Sequence, residues 1–244
     1  MAKITFEVCV DTPQAIINAK QGGADRVELC AALIAGGLTP TAALMRFAAA
    51  EAMPAHVMIR PRGGDFCFTA AEVQLMLDDI ALARDENMKG VVLGATHKDG
   101  SLDLETLATL VAAAQGMDIT LHRAFDVTPD PFETLEQAIA LGFNRILTSG
   151  QQVTALQGKA LLASLFDKAC GRIEIMPGSG ISAGNIHELA TLMPLTSVHA
   201  SCSECIPQAP EAAVKLGFCA GEGRRQTSLD VVRRMADVLV ELDA

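Results

Sequence analysis

Apolar and polar residues alternate in short runs along this chain, and each run stops at a polar tip. Phe6, Val8 and Val10 alternate with Glu7, Cys9 and Asp11, which predicts a strand over Thr5–Val10. Val27 and Leu29 alternate with Arg26, Glu28 and Cys30 in a second strand, Arg26–Cys30. Further strands are predicted over His56–Arg60, Gly90–Leu93, Arg145–Thr148, Arg172–Met176 and Ser197–Ala200. Between the fourth and sixth of these comes the run Ile119–Asp126, an apolar strand whose exit carries His122, Arg123 and Asp126.

Helical patterns fall between the strands. Thr12-Pro13 and Thr39-Pro40 each read as an N-cap followed by a proline in the first turn, and the first of these helices ends at Gly22-Gly23. Others are predicted over Thr69–Glu86, Leu104–Ala114, after Pro129 and Pro131, over Asn185–Met193, and over Ser228–Asp243 as a closing helix. Residues 203–226, rich in Cys, Pro and Gly, read as a loop.

Strands alternating with helices imply a parallel sheet. Eight strands close a barrel, and a (β/α)8 TIM barrel uses roughly 250 residues as one domain. The expected fold is therefore α/β, a single-domain (β/α)8 TIM barrel over residues 1–244, with an open doubly wound sheet as the alternative.

In a barrel one face of each strand meets the helices and the other faces the interior. With the aliphatic residues toward the helices, Glu7, Cys9, Arg26, Glu28, Cys30, Met58, Arg60, His122, Glu174 and His199 point inward or up to the mouth. Barrel interiors are normally filled by Val, Ile and Leu, and buried charges are costly unless paired. Arg26 and Arg60 are expected to pair with Glu7, Glu28 or Glu174. Barrel enzymes keep their chemistry at the C-terminal mouth, so Glu28, Arg60 and His122 are read as site residues and Arg26, at a strand start, as structure. His122 is the natural general acid/base, because an ordinary imidazole titrates near neutrality. Arg123 alternates to the helix layer. Asp126 either orients a mouth group or caps the next turn.

Gly178-Ser179-Gly180 follows the seventh strand, where barrels often bind phosphate through backbone N–H groups. Ser149-Gly150 and Ser201 add donors there. The spacing does not fit G-x-G-x-x-G, because the next glycine is Gly184. A Schiff-base mechanism needs a lysine inside the barrel, and every lysine lies outside the predicted strands, Lys98 in the loop after strand four coming nearest. Cys9 and Cys30 end neighbouring strands, at the same level by this reading, about 4.8 Å apart. Two such thiols either share a soft ion such as Cu(I) or are small buried hydrophobes. Cys202-x-x-Cys205 lacks the second ligand pair of a structural zinc site.

A net charge of −10 argues against a nucleic-acid backbone as partner and against anionic membrane surfaces. No apolar run reaches the roughly 18 residues of a membrane span, and no export signal precedes the first strand. The seven cysteines are therefore expected to be reduced, in the cytoplasm.

Several segments together resemble the CutC family, named for copper homeostasis. They are Phe6–Asp11, Gly22–Cys30, Gly36-Gly37-Leu38-Thr39-Pro40, Ile59–Phe66 with its Arg60-Pro61-Arg62-Gly63-Gly64-Asp65 core, His122–Asp126 and Leu147–Gly150, within roughly residues 4–201. The resemblance implies a TIM barrel, a cytoplasmic homodimer or higher homo-oligomer, and a role in copper tolerance or copper binding. The family's copper binding has been ascribed to two strand-tip cysteines, which map onto Cys9 and Cys30. Pro177, where the family tends to have a small residue, and the segment after Ser201 depart from the pattern.

Two functions follow. In one, the protein binds Cu(I) through Cys9 and Cys30 without turnover. In the other, it is an enzyme of lyase or isomerase type acting on a small anionic or phosphorylated metabolite. There Glu28 and His122 move protons, with Glu7 and Asp126 beside them. Arg60 and Arg62 clamp the anion, and Ser149, Gly150, Gly178, Gly180 and Ser201 hold phosphate.

Overall fold

The computed structural model describes residues 3–206, 210–217 and 223–243. Among these, eight parallel strands form one sheet in the order β7-β6-β5-β4-β3-β2-β1-β8. They are β1 Thr5–Val10, β2 Arg26–Leu29, β3 Ala55–Met58, β4 Gly90–Leu93, β5 Asp118–Leu121, β6 Arg145–Thr148, β7 Glu174–Pro177 and β8 Ser197–Ala200. From β1 to β7 each pairs with the next, and β1 pairs with β8. The sheet thus curls into a nearly closed barrel, and β7 and β8 run side by side at the seam. The expected (β/α)8 architecture holds.

The helices around it are α1 Pro13–Gly22, α2 Ala42–Ala50, α3 Ala70–Asp85, α4 Leu104–Ala113, α5 Pro131–Leu141, α6 Lys159–Ala169, α7 Ile186–Ala190, α8 Glu211–Lys215 and α9 Leu229–Asp243. Their caps explain most of the predicted starts. Thr12 accepts from the Ala15 N–H, and Thr69 and Glu72 form a reciprocal capping box. The second helix differs. Thr41 caps it, and Thr39 Oγ1 instead accepts the Arg60 backbone N–H at 2.9 Å. Helix α6 has no polar cap, since Gly158 holds that position, so the sequence carries no start signal for it. The seventh strand starts later than expected, because Arg172 pairs with Glu136 outside the barrel.

The segment read as a loop over 203–226 contains an antiparallel ribbon, β9 Ser203–Ile206 with β10 Arg224–Thr227, and α8. The rest of that segment, 207–209 and 218–222, lies outside the described residues. Helix α9 closes the barrel against α1, and Asp243 accepts the Ile4 N–H at 3.0 Å. No helix among the described residues is long and apolar enough to cross a membrane.

Strand alternation sorts the core as predicted. Val8, Val10, Val27, Leu29, Val57 and Leu93 join the helices in one large apolar cluster. A separate small cluster, Cys30, Met58 and Val92 with Leu33 packed against it, holds their inward neighbours. The rest of the described inner wall is largely polar.

Candidate functional site at the barrel mouth

The polar interior divides into two levels. The lower level, toward the strand starts, is an ion network. Arg26 Nε donates to Glu7 Oε2 at 2.5 Å, with Glu7 only 1% exposed. Arg145 pairs with Glu174, lies 3.2 Å from Asp118 Oδ2, and donates to Thr120 Oγ1 at 3.0 Å. His56 sits between Glu7 and Asp118, 3.9 and 3.7 Å from their carboxylates. Burial outweighs these charges and lowers its pKa to about 4, so His56 is neutral at physiological pH. Arg26 pairs with Glu7 as expected. His56, Asp118 and Arg145, which open or nearly open their strands, and Thr120 are not among the expected inner-wall residues.

The upper level carries the candidate chemistry. His199 Nδ1 meets Glu7 Oε1 at 2.8 Å across the β1–β8 pairing, 192 residues apart in sequence. Its other side faces Cys9 and Glu28, with Nε2 3.9 Å from Glu28 Oε2. Burial opposes a charge on this ring, but Glu28, Cys9 and Glu7 outweigh burial and hold His199 well above its ordinary pKa. Burial likewise works against the Glu7 charge. Hydrogen bonding to His199 and the Arg26 cation prevail, and Glu7 stays far below the usual carboxylate range. Glu28 goes the other way: burial, with Glu7 adding to it, raises its pKa despite His199. Two carboxyls a short distance apart are thus pushed to opposite protonation behaviour.

The register corrects one expectation about the thiols. Cys9 stands opposite Glu28, and the Cys30 N–H donates to Val10, so Cys30 sits higher than Cys9 and not level with it. Both thiols border the same carboxylate. Cys30 Sγ is 3.5 Å from Glu28 Oε2, and one ligand atom each from Cys9, Glu28 and His199 lie within 4.8 Å of one another. Burial and then Glu28 push the Cys30 thiol pKa well up. The loop after β2 lies directly over it. Gly37, with φ +84°, would place a Cβ 3.2 Å from Cys30 Sγ, so any side chain there strains the seat of this loop.

Arg60 holds that loop. Its guanidinium donates to the carbonyls of Ala35 (3.2 Å), Gly37 (3.3 Å) and Gly64 (2.7 Å) and stacks 4.8 Å from the Phe66 ring centroid. It therefore does not pair with Glu7, Glu28 or Glu174, as expected from charge. Backbone carbonyls take the place of a carboxylate. Phe66 in turn lies 4.8 Å from the His122 ring. His122 Nδ1 accepts the Ala124 N–H at 3.1 Å, which leaves the proton on Nε2. Burial and the nearby Arg60 charge lower the His122 pKa to about 3. His122 is therefore a neutral N–H donor at physiological pH and not the group titrating near neutrality that its residue type suggested. Glu28 Oε1, Arg60 Nε and His122 Nε2 are buried and have no hydrogen-bond partner.

Most of the other expected anion donors are engaged elsewhere. Asp126 accepts from Thr148 Oγ1, from the Ser149 and Gln151 N–H groups, and from Arg123 Nε. It braces the loop after β6 and is neither a mouth acid nor the cap of α5, which is Asp130. Ser149 is committed to Asp126, and the Gly150 N–H to Thr148 Oγ1 at 2.9 Å. The Gly178 N–H continues the ladder to Thr148 O at 3.0 Å, and the Gly180 carbonyl accepts from Asn185. Helix α7 behind that turn has five residues, and Asn185 before it makes no side-chain cap. Arg62 is bound to Asp65 and Glu72. Ser201 is exposed and meets Ser203. Cys202 is buried in the core, whereas Cys205 is exposed on β9. No lysine among the described residues lies on the inner wall, and Lys98 is exposed.

Comparison with known proteins agrees with this architecture. The family described as the CutC family matches residues 4–204. A family protein CutC from Agrobacterium fabrum is 51% identical over 235 residues, spanning 96% of this chain and 93% of that protein. One from Rhizobium meliloti is 48% identical over 235 residues, spanning 96% of each. A crystal structure of a CutC protein from Streptococcus agalactiae, whose name carries copper homeostasis, superposes with a TM-score of 0.77 at 32% identity. It covers 81% of this chain and 98% of that one.

Proposed function

Because this chain belongs to the CutC family, we propose that it handles copper, taking Cu(I) as cargo at the barrel mouth through Cys9 and Cys30. The observation that carries this reading is that both thiols sit on the inner wall of paired strands and border the Glu28 carboxylate. Soft thiolates select Cu(I) over harder ions. The loop seated by Arg60 covers Cys30 and excludes water, which suits an ion that must be kept from oxidation. Such a role belongs in a reducing, cytoplasmic setting, in a homo-oligomer of this chain.

The test is Cu(I) affinity of the reduced, anaerobic protein by competition with a chromophoric chelator. Tight one-to-one binding, weakened at least about tenfold in both Cys9→Ser and Cys30→Ser, is expected. Binding that both variants retain removes this site.

A second reading is favoured by one observation, the unpartnered N–H groups of Arg60 and His122 on either side of Phe66. They suit the oxygens of a small anionic metabolite, with Glu28, whose pKa burial raises, as the proton donor of a lyase or isomerase. Inorganic phosphate or simple carboxylates that raise Tm in the wild type but not in His122→Phe support it. Equal shifts in both refute it.

A further inference from the structure

Cys9, Glu28 and His199 are all buried, and one ligand atom from each lies within 4.8 Å of the other two. The three come from β1, β2 and β8, neighbouring strands of the barrel, so the rigid sheet and not a loop sets their spacing. The donor set is mixed: one sulfur, one imidazole nitrogen and one carboxylate oxygen. Such a set fits a borderline divalent ion of the zinc class better than Cu(I), which prefers sulfur.

Two further features point to a ligand. Glu28 is 4% exposed, yet its Oε1 has no partner. A buried oxygen in that state is costly unless something binds it. The second feature is the support behind His199. Glu7 Oε1 takes its Nδ1 at 2.8 Å, which fixes the ring and directs Nε2 toward Cys9 and Glu28. A carboxylate behind a histidine is the usual backing of a ligating imidazole and raises its basicity as a donor. Zinc-class bonds of about 2.0–2.3 Å place tetrahedral ligand atoms roughly 3.4–3.8 Å apart. Closing from the present spacing asks about one ångström of movement.

We propose that Cys9, His199 and Glu28 form a three-ligand site for a divalent ion of the zinc class, with Glu7 as the residue that positions His199. It deepens the reading of the mouth as a metal site, sharing Cys9 with the Cu(I) pair but not depending on Cys30. Three protein ligands leave a fourth position, as in sites that keep one place for an exchangeable group.

Cobalt(II) is the probe, added anaerobically to the reduced full chain. One equivalent is expected to give a thiolate-to-cobalt charge-transfer band and the intensified visible bands of four-coordinate cobalt, both discharged by zinc. The charge-transfer band disappears in Cys9→Ser, cobalt affinity falls at least tenfold in His199→Gln, and it falls about 10–100-fold in Glu7→Gln, which keeps the ligands and loses the backing charge. The spectrum persists in Cys30→Ser. No charge-transfer band in the wild type overturns the proposal, as does full affinity in His199→Gln. If His199→Gln fails to fold, Glu7→Gln and Cys30→Ser decide: unchanged affinity in the first, or loss of the spectrum in the second, also overturns it. Because Cu(I) binding by Cys9 and Cys30 is expected to be lost in Cys30→Ser while the cobalt spectrum remains, failure of either reading is seen separately.

Discussion

Replacing Arg26 by Met should destabilise the barrel far more than the same change at Arg145, although both arginines lie in one interior ion network. What differs is the partner left behind. Arg26→Met strands Glu7, 1% exposed, with His199 as its remaining hydrogen-bond partner. Arg145→Met strands Glu174 and Asp118, whose side chains are 23% and 32% exposed and can take up water. Breaking a buried pair by removing one member costs about 3–5 kcal/mol, which is the range expected for Arg26→Met. Partial solvation should bring Arg145→Met to about 1–2 kcal/mol. For a domain of this size each kcal/mol shifts Tm by roughly 2–4 °C, so Arg26→Met should melt roughly 6–20 °C lower. Adding Glu7→Gln to Arg26→Met should recover part of the loss, because the buried carboxylate left without its arginine is then gone.

The pH dependence has a fixed sign. The folded pKa of Glu7 is depressed, so its contribution is present above its unfolded pKa of about 4.3 and is lost as pH falls toward the folded value. Arg26→Met should flatten that acid limb. Urea unfolding at pH 7 and between pH 3 and 5 measures both effects. Equal losses for the two arginine variants, or a gain of nothing from the double variant, would refute the claim that burial of the partner decides the cost.

Two further outcomes test the site geometry. Imidazole nitrogen shifts should show His56 and His122 neutral down to about pH 5, His122 as the Nε2–H tautomer, and His199 titrating above a free imidazole. In stability, His56 binds its proton later in the folded than in the unfolded state, so between about pH 6.5 and its folded value stability falls as pH falls, by at most about 1.4 kcal/mol per pH unit. His199 acts in the opposite sense: its contribution is present below about pH 6.5 and lost as pH rises through its raised folded value. A His199 pKa below that of a free imidazole would contradict its acidic surroundings, and an Nδ1–H tautomer at His122 would contradict the hydrogen bond it accepts from Ala124. Gly37→Ala, at φ +84° and pressed to 3.2 Å from Cys30 Sγ, should cost about 1–2 kcal/mol and speed thiol labelling of Cys30. Unchanged stability and labelling would mean that the loop is not seated there.

The alternation of Phe6, Val8 and Val10 with Glu7, Cys9 and Asp11 was enough to predict a strand, its inner face and an unusually polar interior. Repetition of that pattern was enough for the barrel, because period-two patterning is local and belongs to the backbone. Caps such as Thr12, Thr69 and Asp130 are equally local. Which charge meets which was not local. Arg60, expected to find a carboxylate, binds three carbonyls of two loops, because β3 delivers it under the loop after β2. Asp126, equally suited to the mouth or to a turn, was claimed by the loop after β6. His122 has the residue type of a proton shuttle, and its burial, the nearby Arg60 charge and the Ala124 N–H decide that it is a neutral donor. Glu7 and His199 meet because β1 and β8 close the barrel. Pairing register decided that Cys9 faces Glu28 and not Cys30. Periodicity determines which way a side chain points. Its partner depends on strand register and loop closure, which bring together groups that the chain keeps far apart.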